Sequence, residues 1–157
     1  METGESHMMR AIELARRGMH HGDGGPFGAV VVRDDEIIGE GWNRVLATND
    51  PTAHGEIMAI RDASARIGSF SLDGCEIYTT GEPCPMCLGA IHWARIRTIR
   101  HGFDIADAAL AGFDDREFHR QMSLPPSERA IPSTELCRSE AIELLREYMA
   151  MPDRRIY

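Results

Sequence analysis

What most constrains this chain is a set of metal-ligating side chains split between two segments. His54-Gly55-Glu56 is followed later by Pro83-Cys84-Pro85-Met86-Cys87. A fold that uses them together must bring the two segments side by side. Cys84 and Cys87 are three apart, so at the start of a helix both sulfurs point to one side. The positive end of that helix favours thiolate, the form that binds metal. His54 supplies a neutral nitrogen. Two thiolates and one imidazole suit zinc and leave one tetrahedral position open for water. Zinc makes such water acidic enough to be hydroxide near neutral pH.

Glu56 lies two residues after His54, about 200° round a helix, so it does not share that side of the metal. At a helix N-terminus it projects beside the water instead, the place for a carboxylate that carries protons. A structural zinc knuckle is the competing reading. It would need a fourth protein ligand, and Cys75, Cys137 or His101 could supply one. Structural sites usually come as paired CxxC units, and this chain has a single one; such a site also has no role for His-x-Glu.

The length of 157 residues suits one domain spanning 1–157. A chain of that size buries roughly 70% of the surface it exposes when unfolded, so it needs no disulfide staples. Apolar residues make up 43% and charged residues 27%, an ordinary globular mix. No stretch approaches the ~18 uninterrupted apolar residues of a membrane helix. Residues 1–10 lack the apolar core of a secretory signal. The expectation is a cytoplasmic protein with no membrane partner. The formal net charge of −8 argues against a broad phosphate-binding surface, and so against nucleic acid. It leaves a single base or nucleoside open as ligand. Close-spaced cysteines in a cytoplasmic chain are more often metal ligands than disulfides.

Met9, Ile12, Leu14 and Met19 predict a helix over 6–21, broken by Gly22-Asp23-Gly24-Gly25-Pro26. Residues 27–32 and 36–42 read as a hairpin joined through Arg33-Asp34-Asp35. Asp50 and Pro51 read as the N-cap and first residue of a helix ending near Ile67. Residues 75–80 predict a third strand, 85–94 a helix, 96–103 a fourth strand and 106–111 a short helix. The stretch 114–134 is polar, holds Pro125, Pro126 and Pro132, and reads as a long connection without structure of its own. Such connections are uncommon inside a domain, and are usually functional or linkers. Residues 139–150 predict an amphipathic helix with Ile142, Leu144, Leu145 and Tyr148 at its apolar positions. Alternating strands and helices point to an α/β layered domain, and the hairpin makes its sheet mixed.

On these residues the chain resembles the cytidine deaminase-like superfamily, whose members carry H-x-E followed by P-C-x-x-C. Within it, the chain is most similar to the bacterial guanine deaminases, over nearly its whole length. The segments that carry the likeness are Gly24-Gly25-Pro26-Phe27-Gly28-Ala29-Val30, Asn49-Asp50-Pro51-Thr52-Ala53-His54, residues 82–91 and Ala111-Gly112-Phe113-Asp114-Asp115. The zinc motif alone points to the superfamily; the Gly-Phe-Asp-Asp segment and the aromatic C-terminus narrow it. Two positions depart from the pattern. Gly55 stands where the family more often has Ala, and Gly81 where it more often has Cys or Ser. Gly55 is expected to loosen the helix turn carrying His54 and Glu56. Gly81 is expected close to the zinc water.

The resemblance implies a three-layer α/β/α sandwich with a mixed central sheet, and zinc-dependent hydrolytic deamination of guanine to xanthine and ammonia. It implies His54, Cys84 and Cys87 as zinc ligands, with Glu56 carrying a proton from water to the ring nitrogen beside the amine-bearing carbon. Phe27 would face the ring of the base; a strand aromatic in the core fits that residue equally. Asn43 would hydrogen-bond the base, since an amide donates and accepts at once, with a turn role as the alternative. Asp115 would accept from the exocyclic amine or help carry its proton; a solvated loop charge is the plainer reading. Tyr157 would reach a purine from the C-terminus, against a frayed tail. His92 reads as a packed or capping side chain rather than a ligand. Similar enzymes form homodimers that exchange the C-terminal segment, and 114–134 is long enough for that exchange or for a mere surface loop. The same chemistry on guanosine, cytosine, isocytosine or a triazine stays open, as does a non-catalytic zinc-binding interaction module. The acidic balance disfavours a tRNA adenosine deaminase.

Overall fold

Two aspartates turn the first hairpin. Asp34 and Asp35 both adopt positive φ, 50° and 62°, which closes a two-residue turn whose twist matches its flanking strands. Strands β1 (Gly28–Arg33) and β2 (Glu36–Trp42) pair antiparallel through it, with a register shift between Val31 and Val32. A computed structural model describes residues 3–157; Met1 and Glu2, the start of the stretch inspected for a signal, lie outside the described residues. β1 also pairs antiparallel with β3 (Glu76–Gly81), and β3 pairs parallel with β4 (Thr98–Phe103). The strand order is β2-β1-β3-β4. The sheet is therefore mixed, as the hairpin predicts.

Helices cover both faces. α1 (Thr3–His21) packs Ala11 and Leu14 against Val30, Val32 and Tyr78. The chain leaves β2 through a one-turn helix, α2 (Val45–Thr48). On the opposite face α3 (Gly55–Ile67) and α4 (Pro85–Trp93) bury Ala59, Ala63 and Ile91 against Ala29, Val31 and Ile77. Successive β1 residues point to opposite faces. With both faces covered, β1 becomes a continuous buried apolar run rather than an alternating one. This is the expected α/β/α sandwich. Of the stripe predicted on α1, Leu14 reaches the core while Met9 and Met19 remain exposed.

The chain divides into two compact units, one ending at Arg120 and the other running Gln121–Tyr157. After β4 the first unit continues into α5 (Ile105–Leu110), whose N-cap Asp104 and Asp107 form a reciprocal capping box. The boundary falls within α6 (Arg116–Ser123). The second unit adds a 3₁₀ turn at Pro126–Glu128 and α7 (Arg138–Ala150). The 114–134 stretch is thus not without structure. Composition hides α6, because its only large apolar residues are Phe118 and Met122 among polar and charged neighbours. Local pairs support it: Arg116 with Asp114 and Arg120 with Glu117. Among the described residues, no helix is long and apolar enough to cross a membrane.

Candidate active site

The helix expected from Asp50 begins later. Asp50 Oδ1 accepts from the Thr52 backbone N–H at 2.8 Å and from its hydroxyl at 2.7 Å. The Asp-Pro pair therefore makes a local turn. His54 becomes the N-cap of α3, with extended backbone at φ −73°, ψ 158°. The angular offset expected between His54 and Glu56 thus has a different origin: one residue precedes the helix and the other lies in its first turn. Cys84 is likewise the N-cap of α4, at φ −65°, ψ 167°, and Pro85 opens the helix, where its missing N–H costs nothing. The His54 side chain makes no bond to its own helix, and the Cys84 sulfur accepts from Cys87 in the first turn of α4. Both remain available to face each other.

His54 Nδ1 lies 3.6 Å from Cys84 Sγ and 3.5 Å from Cys87 Sγ. Among the described residues these three form a group whose ligand atoms all lie within 4.8 Å of one another. Tetrahedral zinc with Zn–S about 2.3 Å and Zn–N about 2.05 Å sets sulfur and nitrogen roughly 3.6 Å apart. The spacing matches those tetrahedral edges, and the donor set suits zinc. The alternative fourth ligands do not join the group. Cys75 is buried in the apolar core, His101 is exposed on β4, and Cys137 is exposed in the second unit.

The electrostatics fit the same chemistry. The Cys87 thiol donates to Cys84 and, with His54, holds Cys84 down at about 4. The same bond and burial push Cys87 well above the usual thiol range. Hydrogen bonding to Cys84 raises His54, with Glu56 and Asp115 adding smaller contributions through their charge. Glu56 is 5% exposed, and that burial pushes its carboxyl above the ordinary carboxylate range. A buried carboxyl shifted upward beside a group that could hold a metal is suited to proton transfer.

Gly55 sits in close contact with the start of β1. A Cβ there would lie 3.1 Å from the Phe27 carbonyl oxygen and 3.2 Å from Gly28 Cα. The glycine lets the first turn of α3 seat directly on the start of β1. Gly81 faces the ring of Phe103, where a Cβ would fall 2.4 Å from Cε2. Its missing side chain makes room for that ring. Thr80, next to it, ties the strands: its hydroxyl accepts from the Gly28 N–H at 3.1 Å and donates to the Pro26 carbonyl at 3.3 Å.

Phe27 packs edge-to-face with Phe103, at 5.7 Å between centroids, and with Phe113, at 4.9 Å. Asn43 is buried, and its Oδ1 accepts from the Val45 N–H at 3.1 Å, so it does turn α2. Its backbone N–H donates to the Phe27 carbonyl at 2.8 Å, which holds the two residues together. The Asp115 side chain is only 17% exposed, not a solvated loop charge. Its Oδ2 pairs with His119, and Oδ1 is buried without a partner among the described residues. Tyr157 belongs to the second unit and is exposed. His92 is exposed on α4 and neither packs into the core nor joins the metal group. Phe103 and His119 are absent from the sequence-based site. No spacing rule reveals Phe103, since its partner Gly81 lies on another strand. For His119 the signal is present, an Asp and a His four apart, but only on a helix that the composition concealed.

The family model for the cytidine and deoxycytidylate deaminase zinc-binding region matches residues 1–102. The chain is 44% identical over 153 residues to the guanine deaminase of Bacillus subtilis (strain 168), covering 98% of each chain. The X-ray structure of the Bacillus subtilis guanine deaminase matches with a TM-score of 0.93. The chain is 34% identical to the tRNA-specific adenosine deaminase of Agrobacterium fabrum, covering 91% of this chain and 92% of that one. It is also 34% identical to a protein solved in complex with 2,6-diaminopurine, covering 98% and 85%, with a TM-score of 0.68.

Proposed function

Because the chain belongs to the cytidine and deoxycytidylate deaminase zinc-binding family, we propose that it hydrolyses guanine to xanthine and ammonia. The observation that carries this reading is Glu56: a buried carboxyl beside, and not within, a His-Cys-Cys group spaced for tetrahedral zinc. A non-catalytic zinc module would have no use for it. His54, Cys84 and Cys87 would hold the metal, and zinc bound there supplies Lewis-acid activation of water near neutral pH. Glu56 takes a proton from the attacking water and delivers it to N3 of guanine, which makes the adjacent C2 electrophilic as the water oxygen bonds to it. The remaining proton of that oxygen, passed by Glu56 to the exocyclic nitrogen, lets the C2–N bond break, so that ammonia leaves and C2 keeps the oxygen as the carbonyl of xanthine. Asp115 Oδ1, buried and without a partner among the described residues, accepts from the exocyclic N–H during that departure.

The remaining assignments concern binding. Phe27 would stack on the ring, held at its angle by Phe103 and Phe113. Asn43 would hydrogen-bond the purine edge, and Tyr157 would cover the ring that the zinc group does not contact. The α7 side chains Leu144, Leu145, Tyr148 and Met149 are all exposed. An apolar face of that kind supports a homodimer that exchanges the C-terminal segment. Four cysteines without disulfides support a reducing, cytoplasmic setting. The test is ammonia release by the zinc-loaded protein from guanine, guanosine, cytosine, isocytosine, a triazine and adenosine. Guanine is expected to be fastest, with xanthine as product. A preference for another substrate would reassign the activity and leave the zinc chemistry standing.

A further inference from the structure

We propose that His119 is a positioning residue for Asp115: its ring nitrogen clamps one carboxylate oxygen so that the other is left to meet the amine of the substrate. The inference rests on Asp115 being the partner of that amine. Asp115 immediately precedes α6, and the His119 backbone N–H donates to its carbonyl oxygen at 3.1 Å. That turn stacks the two side chains on one face. His119 Nε2 lies 3.2 Å from Asp115 Oδ2. A carboxylate only accepts, so the ring N–H is the donor.

The other oxygen explains why the clamp matters. Asp115 Oδ1 is buried and has no partner among the described residues. A buried carboxylate oxygen without a donor is costly, and the cost is recovered when a donor arrives. The neighbouring cation does not supply it. Arg116 is held by Asp114 through two bonds, of 2.8 and 2.5 Å. Asp114 thereby keeps the guanidinium engaged away from Asp115. Position supports the same reading. Phe113, two residues earlier, packs on Phe27, and the Phe27 carbonyl abuts Gly55, next to His54. Without the His119 donor the carboxylate would lose the bond that fixes Oδ2 and would be free to rotate. Both oxygens would then compete for whatever donor enters, and the geometry at the departing amine would be lost.

The experiment compares the full-length zinc enzyme with His119→Phe and His119→Gln, reading kcat and KM for guanine, zinc content and thermal midpoint. Phe keeps a ring of similar width and removes the donor; Gln keeps an N–H donor on a side chain of similar reach. His119→Phe is expected to lower kcat on the order of tenfold, with KM changed far less and zinc retained. His119→Gln is expected to recover most of that loss. Equal loss in both variants would mean the residue only packs, and would overturn the inference. So would a wild-type kcat in His119→Phe, or a loss of activity that tracks lost zinc. A wild type that makes no xanthine overturns the assigned function and the inference with it. An active wild type with an unaffected His119→Phe overturns the inference alone.

Discussion

Gly81 and Phe103 occupy one another's space: a Cβ on Gly81 would lie 2.4 Å from Phe103 Cε2 and 2.8 Å from Cζ. The obstacle is an aromatic ring, itself packed on Phe27 at 5.7 Å, and not the mobile end of a long side chain. Gly81→Ser should therefore cost about 1–3 kcal/mol through overpacking. In a Phe103→Ala background the same substitution should be nearly neutral. Denaturant unfolding of the four proteins in this double-mutant cycle measures the coupling. An equal cost in both backgrounds would show that the ring does not require the glycine.

The metal group makes a second expectation. Removing either thiolate from a three-ligand site leaves two donors, too few for tetrahedral zinc. Wild type should carry one zinc per chain, and Cys84→Ala and Cys87→Ala should each lose it. Metal analysis decides the point. A fully active protein without zinc would sink the assignment.

Glu56→Gln should keep the metal and lose turnover. The side chain is buried beside the ligands without belonging to their group, and the amide cannot carry a proton between water and base. The loss is expected on the order of 10²–10⁴-fold. If activity instead falls in step with zinc content, Glu56 is a ligand.

The pair that ties α1 to β2 yields a pH-dependent stability. Arg10 holds Glu40 in a fork, Nε to Oε1 at 2.8 Å and Nη2 to Oε2 at 3.0 Å. Arg10 lowers Glu40 from its ordinary 4.5. A carboxyl depressed on folding stabilises fully above its unfolded value and loses that contribution as pH falls through the folded one. The two side chains are 31% and 25% exposed, so solvent screening keeps the effect modest, about 1 kcal/mol at pH 7. Glu40→Gln should thus be less stable than wild type at pH 7, and the gap should shrink as pH falls below 4.5. A difference in urea midpoint that stays constant across that range would contradict the fork. Comparing the two proteins at each pH cancels any loss of metal common to both.

Truncation after Arg155 tests the C-terminus. If Tyr157 covers the purine, removing it should weaken guanine turnover and leave zinc in place. Unchanged guanine kinetics would take Tyr157 out of the site. The dimer is read separately, by sedimentation of the full-length chain.

The chemistry of this protein is legible in the order of its residues, and its neighbourhoods are not. His54, Cys84 and Cys87 stand out as a candidate metal group, with Glu56 two residues after His54 in sequence, because metal binding depends on residue type and short spacing, both local properties. The layered fold is legible for a similar reason, since strand and helix periods are local and the Asp34-Asp35 turn demands a hairpin. The onset of α3 is not, because Asp50 satisfies itself on Thr52 and hands the cap to His54. Nor is the use made of Gly55 and Gly81, which follows from Phe27, Gly28 and Phe103 arriving from other strands. The pairing of Asp115 with His119 needs a short helix of mostly polar and charged residues, in which Phe118 and Met122 are the only large apolar side chains. Spacing along the chain determines which groups can do chemistry. Sheet pairing and packing decide which of them meet, because those contacts join residues that no local pattern relates.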